Sequence, residues 1–194
     1  EGRGGVIEIP REFDAVVGNP PYTRWVEIPD NTRNMILNKF SKLFAIYDLR
    51  PDPRRGREPG IYVYWIMHAT NLLKEGGRLG MIISNMWLQT DYGIEFGKFL
   101  LDNYKIKALI DLSYRLFDAL ISTVIILAEK ASGKEREQER SNNNVLLIRV
   151  PPIDSKLSDR DVEMVLEEVL SCIANSIIEG SYEFDMGRLS KCQG

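Results

Sequence analysis

The sequence predicts an α/β fold, an open sheet of apolar strands alternating with helices, with one strand running against its neighbours. Three observations predict it. Short apolar runs that stop at Gly, Pro or Asn recur along the chain, as buried strands do. Segments with helical spacing of apolar residues lie between them. Only the ten residues from Ser113 to Ser122 separate the third strand run from the fourth. That is too short for the helical crossover that a parallel pair needs, so these two strands should be antiparallel.

The elements follow in order. Phe13-Asp14-Ala15-Val16-Val17 reads as the first strand, ended by Gly18-Asn19-Pro20-Pro21. Proline cannot continue a central strand, so this turn lies at the strand's carboxyl end. Asn31 to Phe44 reads as a helix, with Met35, Ile36, Phe40, Leu43 and Phe44 on one spacing. The Pro/Gly/Arg stretch Arg50 to Gly60 is a loop. Ile61 to Lys74 reads as a helix stopped by Gly76-Gly77. Leu79 to Ser84 is the second strand, and Asp91 to Asn103 a helix with Ile94, Phe99 and Leu100 inward. Ile106 to Leu112 and Thr123 to Glu129 are the third and fourth strands. Lys134 to Asn144 mixes both charges and reads as a solvated connector. Val145 to Val150 is a fifth strand, closed by Pro151-Pro152. Ser158 caps a helix to about Ile178, with Asp161 three residues on as a capping-box variant. Glu179 to Gly194 shows no pattern.

Composition narrows the chemistry. The chain has 194 residues, 44% of them apolar and 27% charged, which suits one soluble, core-forming domain. No apolar run nears the ~18 residues that cross a bilayer, and no signal-peptide core follows Glu1. A cytoplasmic setting is expected. Two cysteines, Cys172 and Cys192, make neither a disulfide framework nor a four-ligand zinc site, and no metal is expected. His68 is the sole histidine, which disfavours Ser-His-Asp and Cys-His catalysis. The formal charge is −3, from 25 Lys+Arg against 28 Asp+Glu. Any hold on nucleic acid must therefore rest on a local basic patch or on further domains.

Asn19-Pro20-Pro21-Tyr22 is the sharpest signal. A match to four set letters arises by chance in about one chain of this length in a thousand. The plain alternative is a rigid Pro-Pro turn whose Asn bonds its own backbone. The chemical reading is more specific. Two prolines stiffen the turn and leave the Pro20 carbonyl without a ladder partner. The Asn19 side chain offers a second acceptor nearby, and together they can grip an NH₂ group. Tyr22 adds a flat ring for stacking on a planar base. An aromatic amine is a poor nucleophile because its lone pair is delocalised. Acceptors that bond its hydrogens as the nitrogen pyramidalises would localise that pair for in-line attack on a methyl sulfonium. Such acceptors favour the transition state over the ground state.

With these residues the chain resembles the amino-methyltransferases that use S-adenosylmethionine, whose motif IV is [N/D/S]PP[Y/F/W]. It resembles most the adenine-specific DNA methyltransferases of restriction–modification systems, of the TaqI-like and type IIG kind. The likeness covers most of residues 13–130. "FDAVVGNPPYTRW" looks like the family's strand four and motif IV. "YVYWIMHATNLLKEGGRLGMIISNMWLQTDYG" looks like its next helix, strand five and motif V. "IKALIDLSYRLFDALISTVIILAEK" looks like strands six and seven.

The resemblance implies the C-terminal half of a Rossmann-like methyltransferase sheet, with strands in the order 4-5-7-6, strand 7 antiparallel, plus an extra strand and a C-terminal helix. It implies a catalytic portion over 1–130 and, over 131–194, a connector, strand and helix leading toward a target-recognition domain. It implies methyl transfer from S-adenosylmethionine to the N6 amine of a flipped adenine, with double-stranded DNA as partner and a fused or associated restriction endonuclease possible. Asn19 and the Pro20 carbonyl would hold the amine, with Pro21 in the turn and Tyr22 on the ring. Phe117, or less closely Tyr114, matches the aromatic of motif VIII, and Asn85 lies where the family lines its cofactor pocket. The glycine-rich motif I and the acidic positions after strands two and three have no counterpart here. The resemblance therefore implies an amino-terminal half outside this chain, and the Phe13–Val17 strand becomes an exposed, association-prone edge.

Other residues have two readings each. Arg50, Arg54, Arg55 and Arg57 could hold phosphates or be a solvated loop. Arg24 and Trp25 could touch DNA or pack the loop, with packing favoured. His68 and Cys172 read as structural, and Cys192 has no assignable role. The alternatives for the whole are a methyltransferase of RNA bases or protein glutamine, or an inactive remnant of the fold.

Overall fold

The computed structural model describes residues 11–112 and 122–150, together with positions 160, 163, 164, 167 and 171. Its centre is a five-stranded mixed sheet in the order β1-β2-β4-β3-β5. The strands are β1 (Phe13–Gly18), β2 (Leu73–Ser84), β3 (Tyr104–Leu112), β4 (Thr123–Lys130) and β5 (Leu146–Val150). β1 runs parallel to β2, and β3 parallel to β5. β4 lies between β2 and β3 and runs against both, the β3–β4 pair being antiparallel as their short connection requires. The first four strands thus stand in the order and direction expected. Residues 131–150 join the same sheet through β5.

One face of the sheet carries the main core. The helices are α1 (Asp30–Lys39), α2 (Ser41–Tyr47), α3 (Ile61–Leu72), α4 (Asp91–Asn103) and α5 (Glu137–Ser141). Aromatic rings tie α2, α3 and α4 together, with Phe40 at the junction of α1 and α2. Tyr64 of α3 meets Trp25, Phe40 and Phe44, while Tyr47 meets Phe99 of α4. Edge-on and offset contacts of this kind favour the rings' quadrupoles beyond simple burial. A smaller cluster of Ala108, Ile110, Leu112 and Ile148 lies apart from this core, with Ile125, Leu127 and Leu146 packed against it.

Several boundaries differ from the sequence reading. The expected helix over Asn31–Phe44 is two helices, broken at Phe40, whose φ of −104° and ψ of 15° leave the helical region. The bend turns Phe40 inward, and the ring stacks 6.3 Å from Tyr64. Met35 stays outside, 60% exposed, because Ile36 and Phe40 take the buried stripe. The third helix stops at Leu72, not Lys74, since fully buried Leu73 already pairs with Phe13. Gly76-Gly77 therefore shape an irregularity inside β2 rather than a helix end. Gly76 has φ of 79°, and a Cβ on Gly77 would sit 2.9 Å from the Lys74 carbonyl and 3.2 Å from that of Asp14.

Ile94 is exposed, not inward. Tyr92, Phe96, Phe99 and Leu100 fill the core-facing side of α4, and a residue two places from Tyr92 points to the opposite side. The charged connector is also more ordered than expected: Lys134–Arg136 form a 3-10 turn that continues into α5. Arg136 explains it, pairing with Glu139 at 2.8 Å and Glu75 at 3.4 Å, and donating to the Lys130 carbonyl at 3.1 Å. Of the expected helix over Ser158–Ile178, the described positions 160, 163, 164, 167 and 171 are helical. Cys172, Cys192, Tyr114 and Phe117 lie outside the described residues. Among the described residues, no helix is long and apolar enough to cross a membrane, and no His/Cys/Asp/Glu cluster could hold a metal.

Candidate functional site

Among the described residues β1 is an edge strand, paired only with β2. Its parallel register with β2 ends at Gly18 opposite Met81, and Asn19-Pro20-Pro21-Tyr22 turns off beyond it. In open α/β sheets, ligands collect outside the carboxyl ends of the strands. The turn occupies that place. Pro20 is buried and anchors it, while Asn19 and Pro21 are exposed and Tyr22 is half-buried. Among the described residues, no backbone N–H donates to the Pro20 carbonyl.

The Tyr22 hydroxyl donates to Asn19 Oδ1 at 2.5 Å. The Asn19 oxygen is thus already engaged once. An amide oxygen has two lone pairs, so it can still accept a second donor. Burial pushes the Tyr22 phenol up, which keeps it protonated and donating.

The chain after the motif is fixed at several points. Glu27 accepts the Arg24 backbone N–H at 3.2 Å. Trp25 is buried at 4% exposure, its ring 5.6 Å from that of Tyr64, so this residue packs as expected. The Thr23 carbonyl accepts the Ile61 N–H at 3.2 Å, which joins the motif to the start of α3. Arg24 itself points outward and lies 3.6 Å from Glu58.

The arginine loop is a small folded unit. Asp52 and Arg57 bridge each other across a 3-10 turn at Pro53–Arg55. Arg57 is bound inward to the Asp48 carboxylate, and Arg55 lies 3.4 Å from Asp52. Arg54 and Arg55 are exposed, as is Arg50. The loop therefore separates one structural arginine, Arg57, from three that face outward.

A cavity of about 220 Å³ adjoins the turn. Val16 to Pro21 line it with Trp65, His68, Ala69, Leu72 and Met81. His68 Nδ1 is buried there without a hydrogen-bond partner among the described residues. Burial and the charge of Lys39 hold this imidazole below its ordinary pKa of 6.5, so it is neutral at pH 7. The sequence reading placed His68 in packing and missed that it faces the same hollow as the motif. Its spacing on α3 relative to Leu72 was the available signal. Asn85 opens the 3-10 turn after β2, its N–H donating to the Ser122 carbonyl at 3.0 Å, and does not line this cavity.

Residues 6–117, over half of the chain, match the Eco57I restriction-modification methylase family. The chain belongs to that family. It is 40% identical over 102 residues to the type II methyltransferase M.BstVI of Geobacillus stearothermophilus, covering 52% of this chain and 16% of the relative. It is 31% identical over 101 residues to M.PaeR7I of Pseudomonas aeruginosa, again covering 52% and 16%. The chain thus spans about a sixth of the length of these relatives. Among solved structures, a candidate class I S-adenosylmethionine-dependent methyltransferase of Listeria monocytogenes superposes with a TM-score of 0.57 at 20% identity, covering 88% of this chain and 44% of the other. The type I restriction-modification methyltransferase subunit of Streptococcus thermophilus gives 0.55 at 22%, covering 84% and 33%. The type IIG endonuclease BpuSI gives 0.53 at 22%, covering 88% and 17%. The fold is that of class I methyltransferases.

Family and fold imply S-adenosylmethionine as the cofactor. The residues present fit one end of it. The cavity is smaller than the ~300 Å³ at which whole small-molecule sites begin. Its lining is mostly apolar, with Asn19 and His68 as polar side chains and no acidic group to take ribose hydroxyls. These residues can form the wall beside the methyl group, and not a complete pocket.

Proposed function

We propose that this chain is the methyl-acceptor half of a DNA methyltransferase of a restriction–modification system, acting on the N6 amine of an adenine flipped from the duplex. The observation that carries the reading is the rigid turn at the carboxyl end of β1, where no described backbone N–H donates to the Pro20 carbonyl and the preceding residue, Asn19, offers its side-chain oxygen. Buried Pro20 and the 2.5 Å contact to Tyr22 hold both acceptors in place before substrate arrives. Preorganised acceptors need no rearrangement when positive charge develops on the amine.

S-adenosylmethionine supplies an electrophilic methyl group when bound. The chain's own residues do the rest. Asn19 Oδ1 and the Pro20 carbonyl accept the two amine hydrogens and turn the nitrogen lone pair out of the ring plane. Tyr22 stacks on the base, and Pro21 keeps the turn closed. Tyr114 and Phe117 are proposed as further contacts to the base, and Asn85 as a contact to the cofactor. Arg24, Arg54 and Arg55 face outward and suit phosphates. Arg57 suits them less, since Asp48 already holds it. Residues 131–194 would lead toward a target-recognition domain, with duplex DNA and a fused or associated endonuclease as partners.

The test uses the longer protein that carries this segment. Asn19→Ala should retain S-adenosylmethionine binding and lose methyl transfer to adenine in duplex DNA by at least about a hundredfold, the range for one lost oxyanion-type partner. Transfer at the wild-type rate would refute the role of Asn19.

A further inference from the structure

We propose that Glu58 is a positioning residue that aims Arg24 at the phosphate of the nucleotide entering the Asn19–Tyr22 turn. The inference rests on the reading of duplex DNA as substrate. Its starting point is an unexplained polar atom. Glu58 Oε2 is buried and has no hydrogen-bond partner among the described residues. A buried carboxylate oxygen left in that state is destabilising, and structures keep such atoms for a reason. The nearest charge is the Arg24 guanidinium, 3.6 Å away.

The two side chains differ in a telling way. The Glu58 side chain is 22% exposed and that of Arg24 68% exposed. The carboxylate is the fixed part, and the guanidinium the part that meets solvent. Glu58 is two residues before Gly60, the N-cap of α3, where the helix dipole favours a negative group. The Arg24 backbone is also fixed. Glu27 holds its N–H, and buried Trp25 anchors the next residue. With both ends set, Glu58 decides only where the guanidinium points.

That direction matters because Arg24 is two residues beyond Tyr22. Guanidinium presents five donors in a planar fork. One edge toward Glu58 leaves the other edge for a bidentate phosphate contact. A nucleotide whose base stacks on Tyr22 carries its phosphate within reach of that neighbourhood. The same contact ties the end of the arginine loop to the chain just after the motif.

Arg24→Ala, Glu58→Gln and the double variant would be compared in the longer protein. Duplex binding would be measured from 50 to 200 mM salt, with thermal unfolding and S-adenosylmethionine binding alongside. Arg24→Ala should weaken duplex binding about five- to tenfold and lower the salt slope by about one. Glu58→Gln should keep the slope, weaken binding several-fold, and leave Tm unchanged, because a 3.6 Å pair with a mostly exposed partner contributes little to stability. The double variant should be no worse than Arg24→Ala alone, the signature of a coupled pair. Glu58→Gln that lowers Tm without altering duplex binding would overturn the proposal, as would additive effects in the double variant. A wild-type protein that binds duplex yet methylates no adenine would overturn the proposed reaction and leave this comparison valid. Failure to bind duplex would overturn both.

Discussion

At the residue scale, the proposed reaction gives Tyr22 two separable tasks. Its ring would stack on the base, and its hydroxyl holds Asn19 Oδ1. Tyr22→Phe removes only the second. We expect a fall in kcat of less than about tenfold, within the ~1–1.5 kcal/mol of a neutral hydrogen bond, with KM for DNA unchanged. Tyr22→Ala should lose far more through both constants. Steady-state methylation of a duplex oligonucleotide separates the two. Gly93 shows a different kind of necessity. A Cβ built there would lie 1.6 Å from the Trp87 carbonyl oxygen, so the 3-10 turn after β2 must move to admit it. Gly93→Ala would gain about 1 kcal/mol of helix propensity in α4. The clash should outweigh this, for a net loss of at least about 1 kcal/mol, read as a lowered midpoint in urea. The sequence offers no hint of that contact, because it depends on how closely two elements approach.

At the scale of elements, the charged connector has a physical role. Burial pushes the Glu129 carboxyl up, but a hydrogen bond from Lys105 and the charges of Lys105, Arg78 and Lys107 outweigh it. Glu129 therefore sits below its ordinary 4.5. Glu75 is likewise lowered, its burial outweighed by Ser132, Lys130 and Arg136. Arg136 and Lys105 hold exposed Glu139 down to about 2. Groups lowered in the folded state stabilise it above their unfolded pKa and lose that contribution as pH falls through the folded values. The attachment of α5 to the sheet should therefore weaken progressively from about pH 4.5 toward 2. Amide exchange at residues 137–141 should rise over that interval before the β2–β4 pair opens. Exchange that rises in both together would refute the local attachment. The run KEREQER reads as solvated from composition alone. Its partner Glu75 lies 61 positions from Arg136, so the ordering was not legible there.

For the whole molecule, the sheet's free edge dominates behaviour. Among the described residues β1 has one partner, and Val17 is 80% exposed on it. Unpaired, apolar edges recruit other strands. The isolated 194-residue chain should self-associate, and Val17→Lys should shift sedimentation toward monomer. A monomeric parent would contradict this. Much of the architecture was legible because strand runs, glycine stops and one short connection are local signals. The Phe13–Gly18 strand, the Asp91–Asn103 helix and the reversed β4 all rest on such signals. The break at Phe40 and the outward Ile94 were not legible, since each depends on which aromatic reaches Tyr64 or the sheet first. The motif itself was legible letter by letter. Its surroundings were not: Glu58 beside Arg24, and His68 in the adjoining hollow, are products of tertiary folding.

The seat of β4 between two earlier strands has a consequence for synthesis. A ribosome delivers β2 and β3 before the strand that must join them. Until residue 130 has cleared the exit tunnel, the nascent chain holds the β1–β2 pair and a lone β3, with a gap one strand wide between them. Completion then comes by late insertion rather than by zipping up from the first hairpin. A pause in translation, or a stop codon just ahead of Thr123, would strand the polypeptide in that gapped form and hand it to chaperones and proteases.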